Sequence, residues 1–140
     1  MDVYLNFISN NPILFLLFFI ILGFIIFHEF KSFTQKFKNI SPQDAVFLIN
    51  KDAFILDVRE SSELSQGIIK NSRHINFSSV KTSLDSIKKY KDKPTIVYCK
   101  SGARSSTISN ILTKNHFQEV YSLKGGFDAW TSDNLPISKN

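Results

Sequence analysis

An uninterrupted apolar run near the start of the chain restricts the possible folds more than any other feature of the sequence. The segment Ile13–Phe27, ILFLLFFIILGFIIF, contains no charge and no hydroxyl group. Asn11 is a suitable helix cap and Pro12 a suitable first helical residue. A helix over residues 12–30 rises about 28 Å at ~1.5 Å per residue, close to the ~30 Å hydrocarbon core of a bilayer. The run therefore predicts one transmembrane helix.

Three other interpretations of this run fit less well. A cleaved signal peptide has a basic N-terminal region and small residues at its cleavage site, whereas this N-terminus carries Asp2 and residues 24–37 are bulky and aromatic. A buried core helix usually has a polar side. A helix lying in the membrane plane needs a charged or polar face, and the run has none.

The charges that flank the run set the expected orientation. Lys31, Lys36 and Lys38 follow it, and no Lys or Arg precedes it. Positive residues favour the cytoplasmic side of a membrane. We therefore expect a single-pass protein of the cell inner membrane, with residues 1–11 outside, a juxtamembrane linker at residues 31–40 and a cytoplasmic C-terminal domain.

The remainder of the chain has the composition of a small globular domain. Most of the net charge of +5 lies there, and the whole chain has 17 Lys and Arg against 12 Asp and Glu. These charges form no dense basic stripe, which argues against nucleic acid as a partner. A mild positive field suits small anionic substrates and a lipid bilayer with anionic headgroups. Cys99 is the only cysteine, so an intrachain disulfide is excluded and a reducing compartment is indicated.

Strand and helix patterns alternate along residues 41–136. The predicted strands share a short apolar run and occupy residues 53–58, 73–77, 94–99 and 119–123. The predicted helices share caps, helical spacing of apolar residues or a closing glycine, and occupy residues 42–49, 61–67, 80–90, 104–115 and a short segment after Gly125. This alternation predicts an α/β fold with a mostly parallel sheet flanked by helices, followed by a tail at residues 137–140.

Cys99 lies where a predicted strand ends, within the segment VYCKSGARSS. Ligands of parallel sheets bind beyond the carboxyl ends of the strands. The residues after Cys99 are small or flexible and lead into a helix, so their backbone N–H groups can point inward. A thiolate is stabilised there, which lowers its pKa, and Lys100 and Arg104 act in the same direction. A buried inert cysteine is the alternative, but the glycine-containing basic loop favours a reactive thiol.

A phosphatase-like loop is a further alternative. Protein tyrosine phosphatases and arsenate reductases carry five residues between the cysteine and the arginine of their loop. Only four residues separate Cys99 from Arg104, and Ser105 occupies the position that a phosphatase would use. The shorter loop suits a sulfur atom attached to the cysteine better than it suits a phosphate.

The domain resembles the rhodanese family of sulfurtransferases. Four segments carry the resemblance in the family's order: LDVRE at Leu56–Glu60, ELSQGIIKNSRHINF at Glu63–Phe77, VYCKSGARSS at Val97–Ser106, and LKGGFDAW at Leu123–Trp130. The second segment departs from the family pattern at Ile68, usually His, and at Asn71 and Ser72, usually Gly and Ala. The resemblance implies a mostly parallel five-stranded sheet flanked by helices.

The resemblance also implies a reaction. Cys99 would attack the outer sulfur of a small anionic donor such as thiosulfate and form a persulfide, which a thiol or protein acceptor would then take. Neither a metal nor an organic cofactor is required. The implied persulfide and anion-binding loop consists of Lys100, Ser101, Gly102, Ala103, Arg104 and Ser105.

Asp57 and Arg59 follow an apolar strand and are the expected supporting residues. Arg59 can face the loop with Asp57 bracing it, but we favour a strand-end ion pair over direct catalysis. Gly125 and Gly126 predict unusual backbone angles or close approach, and Trp130 is expected in the core.

A binding module is the alternative to an enzyme. Rhodanese-like domains can serve as scaffolds, and a membrane anchor is compatible with a membrane-protein partner. The intact loop around Cys99 favours the enzyme without excluding a second role.

Overall fold

Two helices form the N-terminal unit of the chain. In this computed structural model, which describes residues 1–33 and 36–139, helix α1 spans Asp2–Asn10 and helix α2 spans Pro12–Phe33. Among the described residues, α2 is the one helix long and apolar enough to cross a membrane, over Pro12–Glu29. The structure therefore adds α1, which the sequence analysis did not predict, and extends the second helix beyond residue 30.

Asn11 separates these two helices. Its φ of −131° and ψ of 53° are not helical, because the following proline disfavours helical backbone in the residue before it and supplies no N–H donor. The Asn11 side chain donates to the Phe7 carbonyl at 3.0 Å, and its own carbonyl accepts from the Leu14 amide at 3.1 Å. Asn11 therefore ends α1 and begins α2.

A five-stranded sheet forms the centre of the second unit, and every pairing between its strands is parallel. The strands are β1 Lys38–Ile40, β2 Phe54–Asp57, β3 Arg73–His74, β4 Thr95–Tyr98 and β5 Val120–Leu123. Their order across the sheet is β1-β5-β4-β2-β3. The predicted α/β fold is confirmed, with β4 at the centre.

Helical segments connect the strands. The α-helices are α3 Pro42–Asn50, α4 Val80–Ser83, α5 Ala103–Lys114 and α6 Gly126–Ser132, and 3₁₀ segments lie at Ser61–Gln66, Phe77–Ser79 and Leu84–Tyr90. The single helix predicted over residues 80–90 is wrong. Thr82 and Ser86 donate from their hydroxyls to carbonyls three residues back, at 2.9 Å and 2.7 Å, and such local bonds compete with regular α-helical bonding.

Strand β1 lies inside the segment predicted to be a linker. It pairs with β5 in the register Lys38↔Tyr121, and Phe37 just before it is buried in the core. The expected linker is therefore shorter than residues 31–40. The predicted C-terminal tail also joins the domain, because Ser138 and Ile68 exchange two backbone hydrogen bonds of 2.8 Å.

Alternate side chains of β2 and β4 enter cores on opposite faces of the sheet. Leu56 and Val97 pack in the core that includes Ile108 and Leu112 of α5. The other core contains Trp130, as expected from the sequence, together with Ala45, Ile55, Ile69, Ile96, Tyr98, Leu123 and Phe127. Because Cys99 continues the alternation of Val97, its side chain lies on the α5 face.

Replacing Phe37 by alanine should reduce the free energy of unfolding by about 3–5 kcal/mol, the usual cost of truncating a buried phenylalanine. Phe47→Ala is the matched control, because the Phe47 side chain is 60% exposed on α3 and its loss should cost about 1 kcal/mol or less. Urea unfolding of residues 36–139 measures both values. Equal, small losses would mean that Phe37 lies outside the core.

Candidate active site

The Cys99 sulfur lies at the junction between β4 and α5. Its Sγ accepts hydrogen bonds from the backbone amides of Gly102 at 3.0 Å and Ser105 at 3.4 Å. Both amides belong to the start of α5, where N–H groups have no partner within the helix. Gly102 adopts a φ of +107°, a conformation that glycine tolerates and that turns its N–H toward the sulfur.

The Cys99 thiol is both buried and poised to ionise. Its side chain has no exposed surface, and burial alone raises the pKa of a thiol. The amide and hydroxyl of Ser105, with the amides of Gly102 and Ser101, outweigh this effect and hold the pKa of Cys99 below its ordinary value. The Cys99 side chain is therefore buried, as in the first interpretation of the sequence, and its sulfur is also bound by backbone amides, as in the second.

The first residues of α6 hold the beginning of the cysteine loop. The Phe127 amide donates to the Cys99 carbonyl at 2.7 Å, and the Asp128 amide donates to the Lys100 carbonyl at 3.0 Å. A Cβ atom on Gly126 would lie 2.4 Å from the Cys99 carbonyl oxygen, and Gly125 and Gly126 both have positive φ, 73° and 58°. The paired glycines of LKGGFDAW thus permit this close approach, as the sequence predicted.

Arg104 does not face solvent as a free cation. Its guanidinium donates two hydrogen bonds to the Glu63 carboxylate, at 2.8 Å and 2.9 Å. The Arg104 guanidinium holds the pKa of the Glu63 carboxyl at about 2. From the sequence, Arg104 and Lys100 are expected to have the same effect on the thiolate, and the structure shows that the charge of Arg104 is compensated by Glu63. Among the other loop residues, Lys100, Ser101 and Ala103 are exposed, Gly102 is half-buried and Ser105 is buried.

Asp57 and Arg59 form the strand-end ion pair that the sequence favoured. Their shortest N–O distance is 2.7 Å, and both side chains are fully buried. Arg59 also donates to the carbonyls of Glu63 at 3.2 Å and Gly67 at 2.8 Å, and its guanidinium lies 4.1 Å from the ring centre of Phe127. The pair therefore positions the segment that carries Glu63, and no hydrogen bond joins Arg59 to the Cys99 sulfur.

Sequence reasoning missed three residues that complete this arrangement. The sequence places Glu63 in a short helix and at the start of a rhodanese-like segment, without a contact to the cysteine loop. Glu60 and Glu63 have the spacing of a capping box, and the Glu63 carboxylate accepts from the Glu60 amide at 2.7 Å. The Tyr98 hydroxyl donates to Asp57 at 2.8 Å. The Ser122 hydroxyl lies 2.9 Å from that of Ser105, and a serine inside an apolar strand was the available signal.

Arg73 and His74 form strand β3, within the strand predicted over residues 73–77, and are half-buried. The His74 Nε2 atom lies 2.7 Å from the Arg59 carbonyl oxygen, within hydrogen-bond distance. His74 therefore contacts the backbone of the ion-pair region, and Arg73 contacts the Ser86 carbonyl at 3.1 Å.

The fold and site together define an α/β protein with a thiol-bearing loop at the end of its central strand. The chain belongs to the family of rhodanese-like domains, whose family model matches residues 41–133. This match covers strands β2, β3, β4 and β5, the cysteine loop and α6.

Known relatives extend this assignment. The chain is 35% identical over 139 residues to YibN of Escherichia coli strain K12, an uncharacterized protein, and the match covers 98% of this chain and 97% of YibN. It is 34% identical over 104 residues to the thiosulfate sulfurtransferase GlpE of Glaesserella parasuis, covering 74% of this chain and 94% of GlpE. The crystal structure of a rhodanese-related protein from Thermoplasma volcanium matches with a TM-score of 0.68 and 28% identity, over 74% of this chain and 100% of that chain.

Neutralising Glu63 and neutralising Arg104 should shift the pKa of Cys99 in opposite directions. Glu63→Gln leaves the positive charge of Arg104 uncompensated near the thiolate and should lower the pKa of Cys99 further. Arg104→Gln removes that charge and leaves Glu63 unpaired, so the pKa should rise. Ultraviolet absorbance of the thiolate during a pH titration measures both shifts, because Cys99 is the only cysteine.

Cys99→Ser supplies the baseline for this titration. The wild-type midpoint should lie below the ~8.5 of a free cysteine. A midpoint at or above that value, or shifts of the same sign in both variants, would contradict the electrostatic description of the site.

Proposed function

We propose that the protein is a membrane-anchored sulfurtransferase that carries sulfane sulfur on Cys99. The observation that carries this proposal is the contact of the Gly102 and Ser105 amides with the Cys99 sulfur. Donors at a helix N-terminus stabilise an anion, and both the thiolate and the persulfide that replaces it are anions. The likeness to thiosulfate sulfurtransferases supports the same reaction class.

In the first step, the Cys99 thiolate attacks the outer sulfur of a thiosulfate-like donor. The bond between Cys99 Sγ and that sulfur forms, while the sulfur–sulfur bond of the donor breaks. Sulfite leaves with the electron pair of the broken bond, and Cys99 becomes a persulfide anion. Thiolate and persulfide carry the same single charge, so the same amides serve before and after the step.

In the second step, a thiolate acceptor attacks the terminal sulfur of the Cys99 persulfide. The acceptor gains a persulfide and Cys99 leaves as a thiolate, so no external oxidant or reductant is consumed. Two covalent half-reactions of this kind give ping-pong kinetics.

The positive charges of the loop have different tasks in this proposal. Lys100 is exposed and is placed to attract an anionic donor to the mouth of the loop. Arg104 is held by Glu63, so its task is to position the start of α5 and to stabilise the thiolate from nearby. This division predicts that loss of Lys100 affects donor binding more than it affects the acidity of the thiol.

Anchoring by α2 places this chemistry at a membrane in the proposal. The 22 residues of α2 rise about 33 Å at ~1.5 Å per residue, enough to span the ~30 Å hydrocarbon core. Its described side chains are almost all exposed and apolar, as lipid contact requires. Positive residues after the helix favour a cytoplasmic domain at the inner membrane.

Thiosulfate treatment of residues 36–139 followed by intact mass spectrometry tests the reaction. Wild type should gain one sulfur atom, and Cys99→Ser should gain none. Ser105→Ala should load sulfur several-fold more slowly, because the Ser105 hydroxyl contacts Sγ at 3.6 Å. Ser106→Ala is the matched control, since the Ser106 hydroxyl binds the Gly102 carbonyl at 2.9 Å, and should load at nearly the wild-type rate.

Failure of the wild-type protein to gain sulfur would refute the enzymatic proposal. If Cys99→Ser in full-length protein also retained its membrane partners, the tethered binding module would be the better description.

A further inference from the structure

Helix α1 has one polar and one apolar side. At about 100° per residue, its polar residues fall within an arc of about 100°, and they are Asp2, Asn6, Ser9 and Asn10. The remaining arc carries Val3, Tyr4, Leu5, Phe7 and Ile8. These five side chains are between 45% and 78% exposed, so the helix presents an apolar surface that its own unit leaves uncovered.

We propose that α1 lies flat in the interfacial region of the bilayer, on the membrane side opposite the catalytic domain. The proposal rests on the anchoring by α2 proposed above. In this placement, the boundary between lipid headgroups and acyl chains covers the apolar face of α1. This region accepts helices with one apolar and one polar face.

The length of the two helices supports this placement. Helix α2 alone spans the hydrocarbon core, at about 33 Å. A straight continuation through α1 would add about 14 Å for its nine residues and exceed that core. The non-helical backbone at Asn11 instead allows the chain to change direction between the helices. An amphipathic helix joined to the end of a membrane-spanning helix then lies at the membrane surface.

The contact between the two helices is made from the apolar side of α1. The Phe7 ring meets the Phe15 ring edge to face, with centroids 6.3 Å apart and planes at 77°. Phe15 belongs to the first turn of α2, and Phe7 belongs to the apolar arc of α1. The contact with α2 is therefore made from the apolar arc of α1, while Asn6 lies about 100° from Phe7 around the helix.

The charge of α1 predicts which lipids it needs. Asp2 is its only charged side chain, and residues 1–10 contain no Lys or Arg. Basic interfacial helices depend on attraction to anionic lipids, whereas this helix has no such attraction. Its insertion should therefore be the same in zwitterionic vesicles and in vesicles that contain anionic lipid.

Site-directed spin labelling of the full chain tests the placement. Single cysteines at Tyr4→Cys, Asn6→Cys and Ile20→Cys, each with Cys99→Ser, carry the label in phosphatidylcholine vesicles with and without phosphatidylglycerol. Collisions with oxygen report lipid, and collisions with a water-soluble nickel chelate report solvent. Tyr4 and Asn6 form the matched pair, because they lie close together on opposite faces of α1.

The expected oxygen-to-nickel ratio at position 4 is several-fold higher than at position 6, in both lipid compositions, and is highest at position 20. Equal nickel access at positions 4 and 6 would overturn the proposal, because α1 would then project into water. High oxygen access at both positions would overturn it as well, because α1 would then be inserted. Nickel access at position 20 would instead refute the anchoring by α2, on which the proposal rests.

Discussion

The buried ion pair between Arg59 and Asp57 is the interaction on which the site depends. Two opposite charges without any exposed surface persist only when their remaining hydrogen-bonding capacity is satisfied. The Tyr98 hydroxyl supplies a partner for Asp57, and the carbonyls of Glu63 and Gly67 supply partners for Arg59. The pair thus joins the ends of two strands to the segment between β2 and β3.

A series of contacts links this ion pair to the Cys99 sulfur. Arg59 fixes the backbone of Glu63, the Glu63 carboxylate fixes Arg104, and Arg104 lies in the first turn of the helix whose amides reach the Cys99 sulfur. Removing one member of a fully buried ion pair commonly costs about 3–5 kcal/mol. The same change would also release the carboxylate that restrains Arg104, so stability and thiol chemistry are linked through Arg59.

Much of the fold follows from local sequence patterns. The apolar runs of β2 and β4 and the capped helix α3 are visible because buried strands and helix caps have local signatures; Ser41, for example, accepts from the Asp44 amide at 3.2 Å. The strand β1 has three residues on a sheet edge with largely exposed side chains, so it leaves no apolar run. Its pairing depends on β5, more than 80 residues away in the sequence.

The cysteine loop was predictable, but its partners were not. Gly102 and the helix start beside Cys99 are adjacent in sequence, and so local reasoning located them. The contacts from Arg104 to Glu63 and from Tyr98 to Asp57 each join residues 41 positions apart. Only the packing of the parallel strands brings these side chains together, and a single sequence carries no local sign of such pairs.

The complete enclosure of the Cys99 sulfur sets a limit on any chemistry that the residue performs. With no exposed surface, the Cys99 side chain is shielded from the oxidation that acidic thiols otherwise invite. In the proposed reaction a sulfur donor would meet the same barrier, so that reaction requires the loop to open first. The opening that the proposed reaction requires would also expose Cys99 to oxidation.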